Sequence, residues 1–514
     1  METAQAMQPG RAIYFVGIKG TGTCALAELL HNSGVRVSGS DGKEVFYTDG
    51  ILRELGIPYY ESFDPSHICP ETDLVIYSAA YSPETNPELR KARDLGIPLL
   101  KYPDALGAYS AGFDASGIAG VHGKTTTTAM AGALIRGAGL PARVLAGSAV
   151  SGFGGRSTLN LGDTYFVAET CEYRRHFLAF HPRRIVLTSV ESDHQDCFPT
   201  YQAIRDAFLE YAAKLPPGGE LFFCADNPGA KEVAEEAART GRGIRLVPYG
   251  FTAPGPFGIT GCRVSGERMT VRLRGSPDEP SGRTGDGGDT PGKTFCPPSD
   301  ESSFPAELAL RVPGRHNALN AAAALALTDS LVRAEFGEGG WTEERRENAR
   351  RALEDFRGSK RRSEILGDYG GILFMDDYGH HPTAIKTTLE GLREFYPQRR
   401  IVLSFMSHTY TRTAALLDDF AASFNAADIL FLHKIYGSAR EEYGGGVTGK
   451  TLFEKTQAVR DQVYYTGEPL EAAETLKKTL RPGDLFLTMG AGDNWKLGRL
   501  LADYYRDKSA GRFQ

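Results

Sequence analysis

The 514-residue chain is predicted to fold as α/β, in three domains that each carry a mostly parallel sheet. Apolar strand-like runs alternate with helix-compatible stretches along nearly its whole length. Glycine-rich turns follow the opening strand of the first two segments, at Gly17-Ile-Lys-Gly-Thr-Gly22 and Gly120-Val-His-Gly123. The length itself suits about two to four domains.

The first domain is expected over residues 11–110, from strands at 12–16, 35–38 and 73–78, a helix at 23–32 and a further unit around 89–99. The second, 111–356, opens on a strand at 115–119 and continues through strands at 165–168, 185–189 and 219–224. The third, 357–510, has apolar strands at 372–375, 401–405, 429–432 and 485–489. Residues 275–303 are dominated by Gly, Pro, Ser, Thr, Asp and Glu, a composition that buries too little apolar surface to offset ordering entropy. They are expected to form a disordered insertion within the second domain.

A net charge of -6 gives no electrostatic reason to expect nucleic acid or an anionic membrane as partner. The seven cysteines are scattered and form no C-x-x-C pair, which argues against a zinc or redox site. Residues 1–11 are polar, and no later run reaches the roughly 18 apolar residues of a membrane span. A cytoplasmic location is the expectation; the oligomeric state is not set by the sequence.

The strongest motif is Gly120-Val-His-Gly-Lys-Thr-Thr-Thr127, between a short strand and a helix-compatible run. Gly120 and Gly123 let backbone N–H groups approach phosphates, Lys124 meets the β and γ oxygens, and the Thr125 hydroxyl suits a magnesium ion. The strict G-x-x-x-x-G-K-[ST] spacing is not met, because Ile118 stands where its first glycine is required. Acidic clusters follow two strands, Glu169-Thr-Cys-Glu-Tyr173 and Glu191-Ser-Asp-His194. Carboxylates and an imidazole delivered by strand ends beside a phosphate loop suit hard cations. In domain one, G-x-x-G-x-G departs from the G-x-G-x-x-G dinucleotide fingerprint, so the turn reads as a diphosphate site rather than an NAD site.

These motifs, in this order, resemble the Mur ligase family over about residues 12–505. The G-x-H-G-K-T-T-T loop is joined by Gly314-Arg-His-Asn317 before an Ala-rich helix and by Lys360-Arg-Arg-Ser-Glu364. Asp376-Asp-Tyr-Gly-His-His-Pro382, Ser407-His-Thr-Tyr-Thr-Arg-Thr413 and Gly490-Ala-Gly-Asp-Asn-Trp495 complete the set. The resemblance implies a three-domain Mur ligase architecture: a Rossmann-like N-terminal domain, a central P-loop ATPase domain and a Rossmann-like C-terminal domain. ATP and Mg2+ are the implied cofactors. The D-Y-G-H-H-P string points to the branch that joins L-alanine to UDP-N-acetylmuramate through an acyl phosphate, or to its tripeptide-adding relative of peptidoglycan recycling. A nicotinamide oxidoreductase and a noncatalytic nucleotide-binding scaffold are the readings from other classes.

By the same resemblance Lys124, His194, Arg362 and His380 are catalytic, and Thr125, Glu169 and His194 hold magnesium. Gly120, His122, Gly123, Lys124, Thr125, Thr126, Asn317, Arg362 and Asp377 line the ATP site, with Asn317 at the adenine. Gly17, Gly20, Gly22, Ser40, Asp41, Ser78 and Asn86 hold the UDP substrate, and Tyr378, His380 and Arg412 the amino acid. Three positions depart from the family pattern. Ser189 replaces a usual Asn, Leu209 stands where several members carry a carbamoylated Lys, and Thr409 replaces an Arg, leaving Arg412 to anchor the amino-acid carboxylate.

Overall fold

The structure is a computed structural model that describes residues 3–194, 196–275, 304–437 and 445–512. The insertion expected at 275–303 lies, from 276 onward, outside the described residues.

Three sheets follow the predicted alternation. The first is wholly parallel, in the order Tyr59–Tyr60, Arg36–Ser40, Ala12–Val16, Leu74–Tyr77, Leu99–Lys101. Its opening strand is central, with chain crossing to either side. That reversal leaves a crevice above its C-terminal end, where the glycine turn sits. The middle sheet runs Arg245–Tyr249, Glu220–Cys224, Arg184–Leu187, Asp114–Ala119, Tyr165–Glu169, Ala142–Val150, Arg156–Asn160, parallel except for the last strand. The third runs Glu364–Tyr369, Ile372–Asp377, Asp484–Met489, Arg400–Phe405, Ile429–Leu432, Val463–Tyr465, with only its first strand antiparallel. Central strands such as Ile372–Asp377 and Asp484–Met489 are buried along their whole length, as parallel strands covered on both faces must be.

Several elements escaped the sequence reading. Ala142–Val150, Arg156–Asn160 and Arg245–Tyr249 widen the middle sheet, and Ile259–Val264, Met269–Leu273 and Glu307–Leu310 form a separate antiparallel sheet. The phosphate-loop helix is longer than expected, Lys124–Ala138, and stops at Gly139 in the left-handed region (φ 70°), whose N–H returns to the last turn. The helix Arg315–Phe336 is almost wholly buried because its alanines permit close approach to that helix. A Cβ at Gly137 would lie 2.6 Å from the Ala349 backbone, so the helix Glu343–Glu354 also packs directly on it.

The apolar interior ignores the predicted domain boundaries. One cluster joins Phe15 and Leu26 of the first segment to Phe166 and Phe208 of the second; another joins Val167 and Leu325 to Leu389 and Leu403 of the third. Polar groups tie the first seam as well. Arg143, on a middle-domain strand, donates to Ser33 Oγ (2.5 Å), Tyr109 Oη (2.5 Å) and Leu29 O (3.3 Å) of the first domain, and to Asp163. Arg143→Ala strips the buried Tyr109 hydroxyl, Ser33 Oγ and Asp163 of their guanidinium partner and is expected to destabilise by about 2–4 kcal/mol. Thermal denaturation followed by fluorescence checks this; Arg143→Lys should recover only part of the loss, since an ammonium lacks the planar fork.

Candidate active site

The C-terminal ends of three adjacent middle-sheet strands meet at one cavity of about 780 Å³. Asp114–Ala119 feeds the phosphate loop, Tyr165–Glu169 the first acidic cluster, and Arg184–Leu187 the second. Gly120 (φ 137°) and Gly123 (φ 80°) adopt conformations that favour glycine. A Cβ at Gly123 would also strike Asn320 Oδ1 at 2.6 Å. Two hydroxyls after the third strand brace the loop: Ser189 Oγ accepts from the His122 N–H (2.9 Å), and Thr188 Oγ1 donates to His122 O (2.5 Å). Ser189 therefore has a definite task, supporting the loop.

Lys124 points into this cavity. Its ammonium donates to Gly120 O (2.5 Å) and to both oxygens of Glu172 (2.8 and 3.1 Å). Glu172 is 1% exposed, and His194 Nε2 stands 3.4 Å from its other side. Burial opposes both charges, yet their mutual attraction prevails, raising the Lys124 pKa and lowering that of Glu172. Glu172 was not among the predicted site residues; its position in the same short cluster as Glu169 was the available signal. Glu169 itself accepts from Gly147 N–H (2.7 Å) and lines both the main cavity and a smaller one of about 140 Å³. The smaller cavity includes Gly22 and Tyr102 of the first domain.

Of the residues expected at ATP, metal and amino acid, all but Gly120 line the main cavity. Several have their polar atoms engaged by protein. Asn317 donates from Nδ2 to Pro313 O (2.7 Å) and accepts at Oδ1 from Asn320 (3.0 Å). Asp377 accepts from the N–H groups of Ser363 (2.6 Å) and Gly379 (2.7 Å), so it shapes the turn that carries Tyr378. The Tyr378 ring lies between Arg361 and Arg362, with guanidinium carbons 5.0 and 5.1 Å from its centroid. Arg361 is committed to Asp376 and Gly490 O, whereas Arg362 faces the cavity. Arg412, expected at the amino-acid carboxylate, forms a buried ion pair with Asp193 (2.6 Å) across the seam between the second and third domains.

Thr125 lies at the first turn of the loop helix, and Glu169 and His194 also line the cavity. Among the described residues, the tight trio of His, Cys, Asp or Glu ligand atoms is a different one, His122, Glu191 and His381, within 4.8 Å of one another. His381 also caps the helix Pro382–Phe395 by accepting from Thr383 N–H at 3.3 Å. Backbone strain gathers here too, as it does at functional sites: His194 (φ 52°), Ser363 (φ 48°) and Thr409 (φ 66°) line the cavity, and Arg361 (φ 58°) adjoins it.

The glycine turn of domain one, expected to hold the UDP substrate, stands apart from the main cavity. Asp41 accepts from the N–H of Lys19 (2.7 Å) and from Tyr81 Oη (3.1 Å), and the Tyr81 ring packs against Gly17, which has no room for a Cβ. Gly20 precedes the helix Thr21–Asn32, and Gly22 lies under Tyr102. Ser78 Oγ accepts from Ala80 N–H at 3.3 Å. Ser40 is buried and donates to Glu88 (2.5 Å), while Asn86 caps the helix Pro87–Asp94. The side chains of these last two hold the turn and the helix in place rather than facing outward.

Three histidines are pushed down to about 4, chiefly by burial: His316 and His381 at the cavity, and His433, which bridges Ser404 and Thr466 in the third domain. The unfolded chain takes up protons near pH 6.5 that the folded chain refuses until about 4, so their contribution is complete above about pH 6.5 and is lost as pH falls toward 4. Each is worth at most about 3 kcal/mol over that window. Urea midpoints measured from pH 7 to 4 should fall steeply, and His433→Gln should flatten the slope without touching the cavity.

Comparison with known proteins agrees with this architecture. Residues 12–114 match the Mur ligase family catalytic domain, 118–328 the Mur ligase middle domain, and 361–492 the Mur ligase glutamate ligase domain. A UDP-N-acetylmuramate--L-alanine ligase of Treponema pallidum is 49% identical over 499 residues, 97% of this chain and 98% of the relative. One from Borreliella burgdorferi is 36% identical over 94% of this chain and 97% of its own. The solved UDP-N-acetylmuramate-alanine ligase of Thermotoga maritima shares the fold with a TM-score of 0.72 at 24% identity, covering 97% of this chain and 99% of that one. With its three domains matched in order and relatives of this similarity along nearly its full length, the chain belongs to the Mur ligase family.

Proposed function

We propose that the protein joins L-alanine to UDP-N-acetylmuramate with consumption of ATP, in cytoplasmic synthesis of peptidoglycan precursors. The observation that carries this reading is the near full-length similarity to relatives of that name, together with a lysine-bearing phosphate loop opening onto the same cavity as Glu169, His194, Arg362 and Arg412. The muramoyl carboxylate attacks the γ-phosphorus of ATP, giving an acyl phosphate and ADP. The amine of L-alanine then attacks the acyl carbon and expels phosphate, forming the amide.

The protein's part is positioning and charge stabilisation. Lys124 exchanges Glu172 for phosphate oxygens, and Arg362, held by its stack on Tyr378, faces charge that builds on the transferred group. Thr125, Glu169 and His194 all line the cavity; the Thr125 hydroxyl and the Glu169 carboxylate would give a magnesium ion oxygen donors, with the His194 imidazole as the third group. Bound there, the ion neutralises phosphate oxygens. The position of Glu169 on both cavities supports a path in which the muramoyl carboxylate enters from the first domain and meets the nucleotide at that residue.

Lys124→Met should abolish ADP release dependent on UDP-N-acetylmuramate, by at least a hundredfold, as one lost oxyanion donor already costs about 10²–10³. It should also lower thermal stability, because Glu172 is left buried without its partner. Assays of ADP release with L-alanine, glycine or the recycled tripeptide as acceptor test the substrate. Turnover with the tripeptide but not with L-alanine would overturn the assignment.

A further inference from the structure

The buried pair between Arg412 and Asp193 leaves half of each group unused. Arg412 lies on the short helix Tyr410–Ala415 of the third domain, and Asp193 follows the strand Arg184–Leu187 of the second. Nε and Nη2 of Arg412 both converge on one oxygen, Asp193 Oδ1, at 3.0 and 2.6 Å. The outer edge of the guanidinium keeps only long contacts, from Nη1 to His408 O (3.3 Å) and Nδ1 (3.4 Å). On the other member, His194 Nε2 stands 3.9 Å from Oδ2, beyond hydrogen-bond range. The two residues are 3% and 4% exposed, yet both line the main cavity with His380 and Tyr378.

Arg412 and Asp193 face each other at 2.6 and 3.0 Å, the geometry of an ion pair. The cavity therefore presents a fixed cation and a fixed anion side by side, each with an unused edge. An α-amino acid carries the matching charges, carboxylate and ammonium, on one carbon. A peptide acceptor does not: its α-ammonium neighbours an amide carbonyl, and its free carboxylates lie farther away.

We propose that Asp193 is the second half of the amino-acid site, a specificity-determining residue whose Oδ2 takes the substrate ammonium while the outer edge of Arg412 takes the substrate carboxylate. Oδ1 keeps Arg412 oriented throughout. The proposal rests on the ligase reading above and narrows it: the site selects a free α-amino acid over a carboxylic acid, an amine or a peptide.

The test uses the full-length enzyme with three readouts. In the wild type, L-lactate, which replaces the amine by a hydroxyl, should inhibit against L-alanine with a constant at least tenfold above the L-alanine KM; lactate binding as tightly as alanine overturns the proposal without any mutant. In Asp193→Asn, the KM for L-alanine should rise at least tenfold with the KM for ATP within twofold, while inhibition by propionate, which needs only the Arg412 edge, stays within threefold. An unchanged alanine KM, or propionate inhibition lost in step with alanine binding, overturns it, the latter by showing that Asp193 merely props Arg412. Asp193→Glu, which keeps the charge, should recover part of the alanine affinity. Trapping the acyl phosphate with hydroxylamine in the absence of L-alanine separates the two claims. Hydroxamate formed by both proteins keeps the ligase reading intact whatever becomes of Asp193, whereas none from the wild type removes that reading itself.

Discussion

The arrangement of the site depends on one buried ion pair, Lys124 with Glu172. An ammonium in a largely closed cavity is tolerated only with a partner, and Glu172 is closed off so completely that it too needs one. A nucleotide that takes Lys124 onto its phosphates thus strips Glu172 of its main counter-charge. His194, 3.4 Å away on the other side, is the group left facing it. Any ligand that draws Lys124 away leaves a buried carboxylate that another positive charge has to balance.

The same logic extends across the domain seam. Asp193 directly precedes His194, so the carboxylate that pairs with Arg412 and the imidazole that faces Glu172 share one backbone turn, with His194 itself at positive φ. Movement of the third domain that shifts Arg412 would be felt at His194 through a single peptide unit. Around the turn the seam is built from close backbone approach: Lys360 N–H donates to Ala149 O (2.7 Å), and Gly391 lies against the Gly314 backbone with no room for a Cβ. Gly314 opens the helix of Asn317, so the third domain packs directly on the wall of the main cavity.

Much of this was legible in the sequence. The buried central strands announced themselves as apolar runs, and the phosphate loop by its glycines and its place between strand and helix. The strands Ala142–Val150 and Arg156–Asn160 did not, because glycine, serine, arginine and threonine interrupt their apolar pattern and tertiary pairing supplies what local propensity lacks. Candidate site residues are legible by type and not by partnership. Glu169 and Arg412 were chosen as individual groups, while Glu172 and Asp193, each within three residues of a chosen one, acquire their importance only from a charge brought up by another element. Asn317 and Asp377 show the converse: the motif identified the position, but hydrogen bonds to Pro313, Asn320, Ser363 and Gly379 decide that much of their polarity serves the scaffold.

Glu169 is where these threads meet. It ends a central strand of the middle sheet, is fixed by the Gly147 N–H, and is shared by the large cavity and by the small one that reaches Gly22 and Tyr102 in the first domain. A substrate carboxylate approaching along that path would meet a second carboxylate, and like charges a few ångströms apart repel unless a cation lies between them. A positive charge placed between two such carboxylates would lift that repulsion, so the approach to Glu169 from the first domain and the balance of charge at Glu172 are linked through one cavity.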